Sequence, residues 1–266
     1  MKAKKSFGQH FLNTPSIAQR IAGQLQLIGA YDLVMEIGPG KGMLTQFLLY
    51  QPYQLMAIEA DRDMIPYLKS QFPTLSSHLV LADFLQVDLP ALSGGRPFAV
   101  IGNFPYNISS QILLKVVENR HLVPEMVGMF QREVAERVVA PPGNKVYGVI
   151  SVLVQAFYEG QVVLRVDKGS FSPPPNVQSA VIRLVRKANT DLGCDEKLFR
   201  TIVKQAFGQR RKMLRNTLKG LLPDALLTQE AQFSQRPEQL SVADFVALTN
   251  LAQAHHNSTK MEDQGD

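Results

Sequence analysis

The chain is 266 residues long, 45% hydrophobic and 19% charged, enough to bury a core and to exclude a disordered polyelectrolyte. A formal net charge of +5 and a sequence pI near 9.3 fit an acidic partner such as nucleic acid, although many basic proteins bind none. The single cysteine, Cys194, rules out an internal disulfide; with no apolar run of about 18 residues and no signal-like stretch in MKAKKSFGQHFLN, a cytoplasmic chain without membrane contact is expected.

In chain order, Asn13-Thr14-Pro15 has helix-start chemistry, and Ile17, Ala18, Ile21, Ala22 and Leu25 then recur on one helical face. Short apolar runs at 33–36, 55–59, 79–81, 99–101 and 126–130 alternate with helical patterns at 42–50, 61–70, 109–119 and 132–139. That alternation predicts an α/β fold, a mainly parallel sheet covered by helices. From 148 to 157 the apolar run is too continuous for periodicity to separate helix from strand. Strands at 162–166 and 180–185, joined through Ser172-Pro173-Pro174-Pro175, suit an antiparallel pair at one sheet edge. Beyond Lys187 the pattern turns helical: Phe199, Ile202, Val203, Ala206 and Phe207 make one stripe, and Leu214, Leu218, Leu221 and Leu222 another. The expected organisation is an α/β domain over 1–190, a small helical domain over 191–254 and a polar, frayed tail over 255–266.

Residues 36–42 read EIGPGKG, between the first sheet strand and a predicted helix. Such glycines let a ligand approach the backbone. Their spacing fits neither the G-x-G-x-x-G dinucleotide pattern nor a Walker loop, and Glu36 would repel phosphate but suits an ammonium or sulfonium. Glu59, ending the second strand, has the chemistry to accept from both ribose hydroxyls, and Asp83, ending the third, could bind an adenine amine. Each acid alone is more simply a helix cap or a solvated charge than a ligand. Around one glycine loop, the three describe an adenosine with a positive tail, S-adenosylmethionine.

At 102–107 the chain reads GNFPYN, at the end of the fourth strand, where ligands bind in such sheets. An adenine amine is a poor nucleophile because its lone pair is delocalised, so it needs hydrogen-bond acceptors. The Asn103 side-chain oxygen and a main-chain carbonyl, most simply that of Phe104, can hold its two hydrogens. Pro105 adds no competing N–H, and Tyr106 offers a face to a flipped base. Cys194 lies outside this region, which leaves no thiolate to activate a cytosine carbon; an amine is the target.

QHFL at 9–12, EIGPGKGMLT at 36–45, GNFPYNIS at 102–109, FSPPPNVQSAVIRL at 171–184 and AFGQRRKMLRN at 206–216 carry a family resemblance. From about Lys5 to about residue 252 the chain resembles the bacterial small-subunit ribosomal RNA adenine dimethyltransferases. The resemblance implies a Rossmann-like sheet with an antiparallel edge strand and a C-terminal helical domain. It also implies transfer of methyl groups from S-adenosylmethionine to two adjacent adenines near the 3′ end of small-subunit rRNA, within a maturing small subunit. By the same likeness Gln9, His10 and Leu12 belong to a segment over the methionine end, and Glu36, Gly38 and Gly40 to the cofactor loop. Glu59 matches the ribose ligand, Asp83 and Phe84 the adenine side, Asn103 both cofactor and target base, and Phe104, Pro105 and Tyr106 the target base. The family usually has leucine where this chain has Phe104, a bulkier side chain that could alter how the base enters.

Arg200, Lys204, Arg211, Arg215 and Lys219 are four or seven apart and share one helical stripe if the helix is continuous. With Arg210 and Lys212 they are the expected RNA-phosphate contacts, to which Lys2, Lys4 and Lys5 could add; a solvated helix face is the plainer reading. His10 is expected to pack or hydrogen-bond, Phe130 to be core, and His78, His121, His255 and His256 show no metal-ligand spacing. The alternatives are a large-subunit rRNA adenine methyltransferase and a noncatalytic small-subunit assembly factor. A DNA methyltransferase would begin its motif with Asp or Asn before Pro-Pro-aromatic, and nothing demands more than a monomer.

Overall fold

The computed structural model describes residues 10–229 and 231–262, and the chain forms two compact units. The first holds the chain as far as Glu136 together with Tyr158–Lys187. It opens with β1 (Phe11–Leu12), α1 (Pro15–Ala22), β2 (Leu33–Ile37), α2 (Thr45–Leu48), β3 (Gln54–Glu59) and α3 (Met64–Gln71). Next come β4 (Leu79–Leu81), α4 (Leu89–Ser93), β5 (Phe98–Asn103), α5 (Ser109–Glu118), β6 (Glu125–Gln131) and α6 (Arg132–Val139). After α7 (Val149–Gln155) the chain returns through β7 (Tyr158–Val166), β8 (Phe171–Ser172) and β9 (Ser179–Arg186).

The main sheet has seven strands in the order β4-β3-β2-β5-β6-β9-β7. The five from β4 to β6 are parallel; β9 runs antiparallel to β6, and β7 antiparallel to β9. Strands covered on both faces favour apolar residues at every position, which is why residues 33–35 of β2 and 98–101 of β5 read as unbroken apolar runs and are buried, with the polar Glu36 and Asn103 only at the strand ends. Helix α1 starts at Pro15 and turns Ala18, Ile21 and Ala22 into the core. Its apolar face joins Val34, Ala57, Ala99 and Ile101 of the sheet in one cluster. β1 pairs with β8 in a separate two-stranded sheet that ties His10–Leu12 to the chain around Phe171–Ser172.

Local readings differ from the outcome at 42–50, in the tail and in the second leucine stripe, whose helix ends at Thr217 before Leu218, Leu221 and Leu222, and the structure resolves the run left open at 148–157. The helix expected over 42–50 is a single turn, Thr45–Leu48, because turns fill 40–44 and the left-handed backbone of Gly40 and Gly42 cannot continue into a helix. The ambiguous run at 148–157 is helix first: Gly148 precedes α7, its amide donates to Ser151 Oγ at 2.9 Å, and the strand begins only at Tyr158. The polar tail expected from 255 is helical backbone as far as Glu262, within α11 (Val242–Glu262).

The second unit takes in Arg137–Phe157 and the chain from Ala188. It contains α7 with α8 (Glu196–Gly208), α9 (Leu214–Thr217), α10 (Asp224–Gln229) and α11. Asp195 caps α8 by accepting from the Leu198 amide at 2.7 Å. Phe199, Ile202, Val203 and Ala206 form its buried face. Phe207 meets Tyr147 and Phe245 at ring-centroid distances of 6.1 and 6.0 Å, which explains why a segment from before residue 190 joins this unit.

Candidate active site

The parallel strands end at a cavity of about 520 Å³ in the first unit, large enough for a nucleoside-sized ligand. Every described residue expected at the cofactor or base lines it: His10, Leu12, Glu36, Gly38, Gly40, Glu59, Asp83, Phe84 and Asn103 through Tyr106. Gln9 lies outside the described residues.

The glycine loop leaves β2 in the left-handed region, with φ of 66° at Gly38 and 55° at Gly40. A Cβ on Gly40 would also come within 3.0 Å of the Phe11 ring, so bare backbone is needed on both counts. Lys41 Nζ lies 4.9 Å from the centroid of the same ring. Glu59, at the end of β3, is 5% exposed. It accepts from the Gly40 amide at 3.1 Å and the Asp61 amide at 2.8 Å, so it braces the loop as well as facing the cavity.

Glu36 is 1% exposed and accepts from Thr45 Oγ1 at 2.7 Å. Burial pushes its carboxyl up to about 8, with the Thr45 bonds opposing and the Glu59 charge adding to the rise. Glu59 is raised as well, by burial first, against the Asp61 and Gly40 amides. A cavity wall carrying two buried acids of raised pKa favours a ligand that brings positive charge, and this chemistry fits S-adenosylmethionine. Asp83 lies two residues past β4, exposed, its carboxylate accepting from the Leu85 amide at 2.9 Å. Phe84 is buried beside it, and Lys115 of α5 holds the loop by donating to the Leu85 and Val87 carbonyls at 2.9 and 2.5 Å.

Asn103 closes β5, and its Nδ2 donates to the His10 carbonyl at 2.9 Å. A carbonyl only accepts, so the amide's orientation follows, and its oxygen is the end left for a ligand. Phe104 is 1% exposed and its ring packs edge-on against Phe130, 5.2 Å between centroids. It occupies space that only glycine leaves: a Cβ on Gly128 would fall 2.2 Å from that ring, and one on Gly102 2.8 Å. Gly102 and Gly128 are register partners on β5 and β6, so the sheet itself accommodates the departure from leucine. Tyr106 bonds Ser179 Oγ at 2.6 Å and stacks on His10 with 5.6 Å between centroids. His10 therefore packs and hydrogen-bonds, its Nδ1 lying 2.9 Å from the Pro173 carbonyl, and Phe130 is core.

The continuous basic stripe is not formed. Helix α8 stops at Gly208, and a turn separates it from α9, with the Lys212 amide on the Gln209 carbonyl and the Leu214 amide on that of Gln235. Arg200 and Lys204 lie on α8, Arg210, Arg211 and Lys212 in the turn, and Arg215 on α9. Lys204, Arg211, Lys212 and Arg215 are exposed, whereas Arg210 is half-buried and donates to the Lys145 carbonyl. Sequence reasoning gave no role to Thr45, although it ends the 36–45 motif and bonds Glu36, and missed Ser179 and Lys115, which reach Tyr106 and the Phe84 ring from elements distant in sequence. Among the described residues no group of three or more His, Cys, Asp or Glu side chains could hold a metal, and no helix is long and apolar enough to cross a membrane.

Residues 1–254 match the family model described as ribosomal RNA adenine dimethylase. A curated relative from Porphyromonas gingivalis, ribosomal RNA small subunit methyltransferase A, is 51% identical over 255 residues, covering 95% of this chain and 98% of its own. One of the same name from Bacteroides thetaiotaomicron is 48% identical over 251 residues, 94% of each chain. Among solved structures, a dimethyladenosine transferase from Plasmodium falciparum superposes with a TM-score of 0.75 at 26% identity, over 90% of this chain and 96% of that one.

Proposed function

The chain belongs to the ribosomal RNA adenine dimethylase family, and from that premise we propose that it dimethylates the exocyclic amines of two adjacent adenines near the 3′ end of small-subunit rRNA. Its methyl donor is S-adenosylmethionine, which when bound supplies a methyl group on a sulfonium. The observation that carries this reading is the Asn103-to-Tyr106 stretch opening onto the same cavity as Glu36 and Glu59.

Glu59 is suited to accept from ribose hydroxyls with lone pairs that the Gly40 and Asp61 amides leave over. Asp83 and Phe84 form the adenine wall, Gly38 and Gly40 present backbone, and Glu36 faces the cationic end, with His10 and Leu12 along the rim. Opposite them, Asn103 Oδ1 and the Phe104 carbonyl accept the two hydrogens of the target amine and draw its lone pair back onto nitrogen. Pro105 sets the turn without adding a competing donor. Tyr106 stacks the flipped base, worth about 1–3 kcal/mol against a few kcal/mol for unstacking it. The chain thus contributes positioning and preorganised acceptors, with no covalent intermediate on a protein side chain.

Lys204, Arg211, Lys212 and Arg215 supply phosphate contacts, with Arg200 and Arg210 beside them in sequence; spread over two helices and a turn, they position RNA without reading its bases. The substrate context is the pre-ribosomal small subunit in the cytoplasm, met by a monomer. The relatives at 48 to 51% identity favour the small subunit over the large one.

The test is to incubate the protein with labelled cofactor and small subunits lacking adenine methylation, then locate the labelled nucleoside. Dimethyladenine at two adjacent positions near the 3′ end is expected. Label in large-subunit RNA alone would overturn the substrate assignment, and tight subunit binding without transfer would favour an assembly factor. Asn103→Ala is expected to lower turnover about 10²–10³-fold with cofactor affinity nearly unchanged; equal losses in both would make Asn103 structural or a cofactor ligand.

A further inference from the structure

Tyr106 sits on a loop, where an aromatic ring is free to swing unless something holds it, and here two separate parts of the chain do, one of them itself anchored by a third. Its hydroxyl is 2.6 Å from Ser179 Oγ, 73 residues away in sequence. Ser179 is fully buried and opens β9, where its backbone is in register with Gln131 of β6 on one side and Val166 of β7 on the other. The anchor is therefore set into the interior of the sheet, not on a second loop. One face of the ring is covered by His10, whose plane is tilted only 24° from it, and the Pro173 carbonyl holds that imidazole at 2.9 Å.

We propose that Ser179 is a positioning residue for the target base: by holding the Tyr106 hydroxyl while His10 closes one face of the ring, it presents the opposite face to the flipped adenine. A phenylalanine offers a base a comparable π-face, so stacking alone gives no reason for a phenol at this position. The hydroxyl matters because it fixes the far end of the ring, and with it the angle at which the base stacks beside Asn103. A ring already aligned delivers its stacking energy without first losing rotational freedom. This inference rests on Tyr106 being the base platform, and the variants below separate the two.

Tyr106→Ala, Tyr106→Phe, Ser179→Ala and the double variant Ser179→Ala/Tyr106→Phe are compared. The readouts are single-turnover transfer to small subunits, cofactor affinity by calorimetry, thermal unfolding, and the fluorescence of 2-aminopurine placed at the target adenine. Tyr106→Ala should lose about ten- to hundredfold in transfer, the value of one stacked base. Ser179→Ala and Tyr106→Phe should each lose about fivefold, one hydrogen bond's worth, with cofactor affinity unchanged and a smaller 2-aminopurine response. Because both single changes cut the same link, the double variant should be no slower than the slower single one. Wild-type transfer by Tyr106→Ala would sink the base-platform reading itself. A defective Tyr106→Ala beside a wild-type Ser179→Ala would overturn only the Ser179 role. So would losses that multiply in the double variant, or a parallel fall in cofactor affinity and unfolding temperature with an unchanged 2-aminopurine response.

Discussion

Where the parallel strands of the first unit begin, Glu125 is fully buried and surrounded by donors: the Gln26 and Leu27 amides at 3.1 and 2.9 Å, the Tyr31 hydroxyl at 2.6 Å and Arg183 Nε at 2.5 Å. Where those strands end, Glu36 is almost as buried, yet Thr45 holds it with no ion pair among the described residues, and it faces a cavity. Both acids bear the desolvation cost of burial, and the difference lies in what offsets it. At Glu125 the protein completes the shell itself, so the acid serves the fold. At Glu36 the shell lacks a positive charge, and a cationic ligand is what would complete it.

The sharpest way to break this contrast is Glu125→Ala, which strands the nearly buried Arg183 and leaves the Tyr31 hydroxyl and two amides without their acceptor. A loss of about 3–5 kcal/mol is expected in denaturant unfolding, with cofactor affinity of the folded fraction unchanged. A loss under about 1 kcal/mol would show that the donors find water or one another and that the shell is not structural. Glu59→Ala acts at the other end. Cofactor affinity measured by calorimetry should fall by about 2 kcal/mol, roughly thirtyfold, with a far smaller change in the unfolding midpoint. The reverse pattern would make Glu59 chiefly a brace for the Gly40 loop.

Glu36 gives the comparison a pH signature. Its carboxyl rises from an ordinary 4.5 to about 8, so between those values the folded, ligand-free protein binds a proton that the unfolded chain has lost. The stability this contributes is fully present below pH 4.5 and is lost as pH rises towards 8. Cofactor affinity should move the opposite way, increasing up to about pH 8 with proton release on binding, because a sulfonium and an ammonium favour the ionised form. The demethylated thioether product, lacking the sulfonium charge, should show a shallower dependence. Glu36→Gln should flatten both profiles when calorimetry is run in buffers of different ionisation enthalpy; an unchanged profile in this variant would place the titrating group elsewhere.

How much of this was legible in sequence depends on how far apart the cooperating residues lie. The parallel strands were visible because burial on both faces favours apolar runs, and the candidate site was visible because EIGPGKG and GNFPYN are contiguous at strand ends that line one cavity. The Glu125 shell was not, since its partners lie 58 to 99 residues away and none forms a motif with it. The same holds for Ser179 and Tyr106, 73 residues apart. The basic stripe failed for a local reason: charge spacing across Gly208 assumes a helix that the backbone ends there, with the following turn tied to Gln209 and Gln235. Helix α2 shrank because left-handed glycines precede it, a conformation that spacing alone does not reveal.

Phe104 offers the smallest and most discriminating effect. If its bulk governed how the base enters, Phe104→Leu should change turnover and leave stability alone. The structure argues for the opposite, because the ring is 1% exposed, packs on Phe130 and fills the space left by the paired Gly102 and Gly128. The group suited to the target amine at this position is the main-chain carbonyl, which a change of side chain leaves in place. Leucine would leave part of the glycine slot empty, so unfolding should show a loss of about 1–2 kcal/mol while single-turnover transfer stays within about twofold. A turnover change without a stability change would mean that the ring shapes the base's path after all. In the expected case, a departure in the motif is answered by two glycines on neighbouring strands, and the residue next to Asn103 belongs to the core.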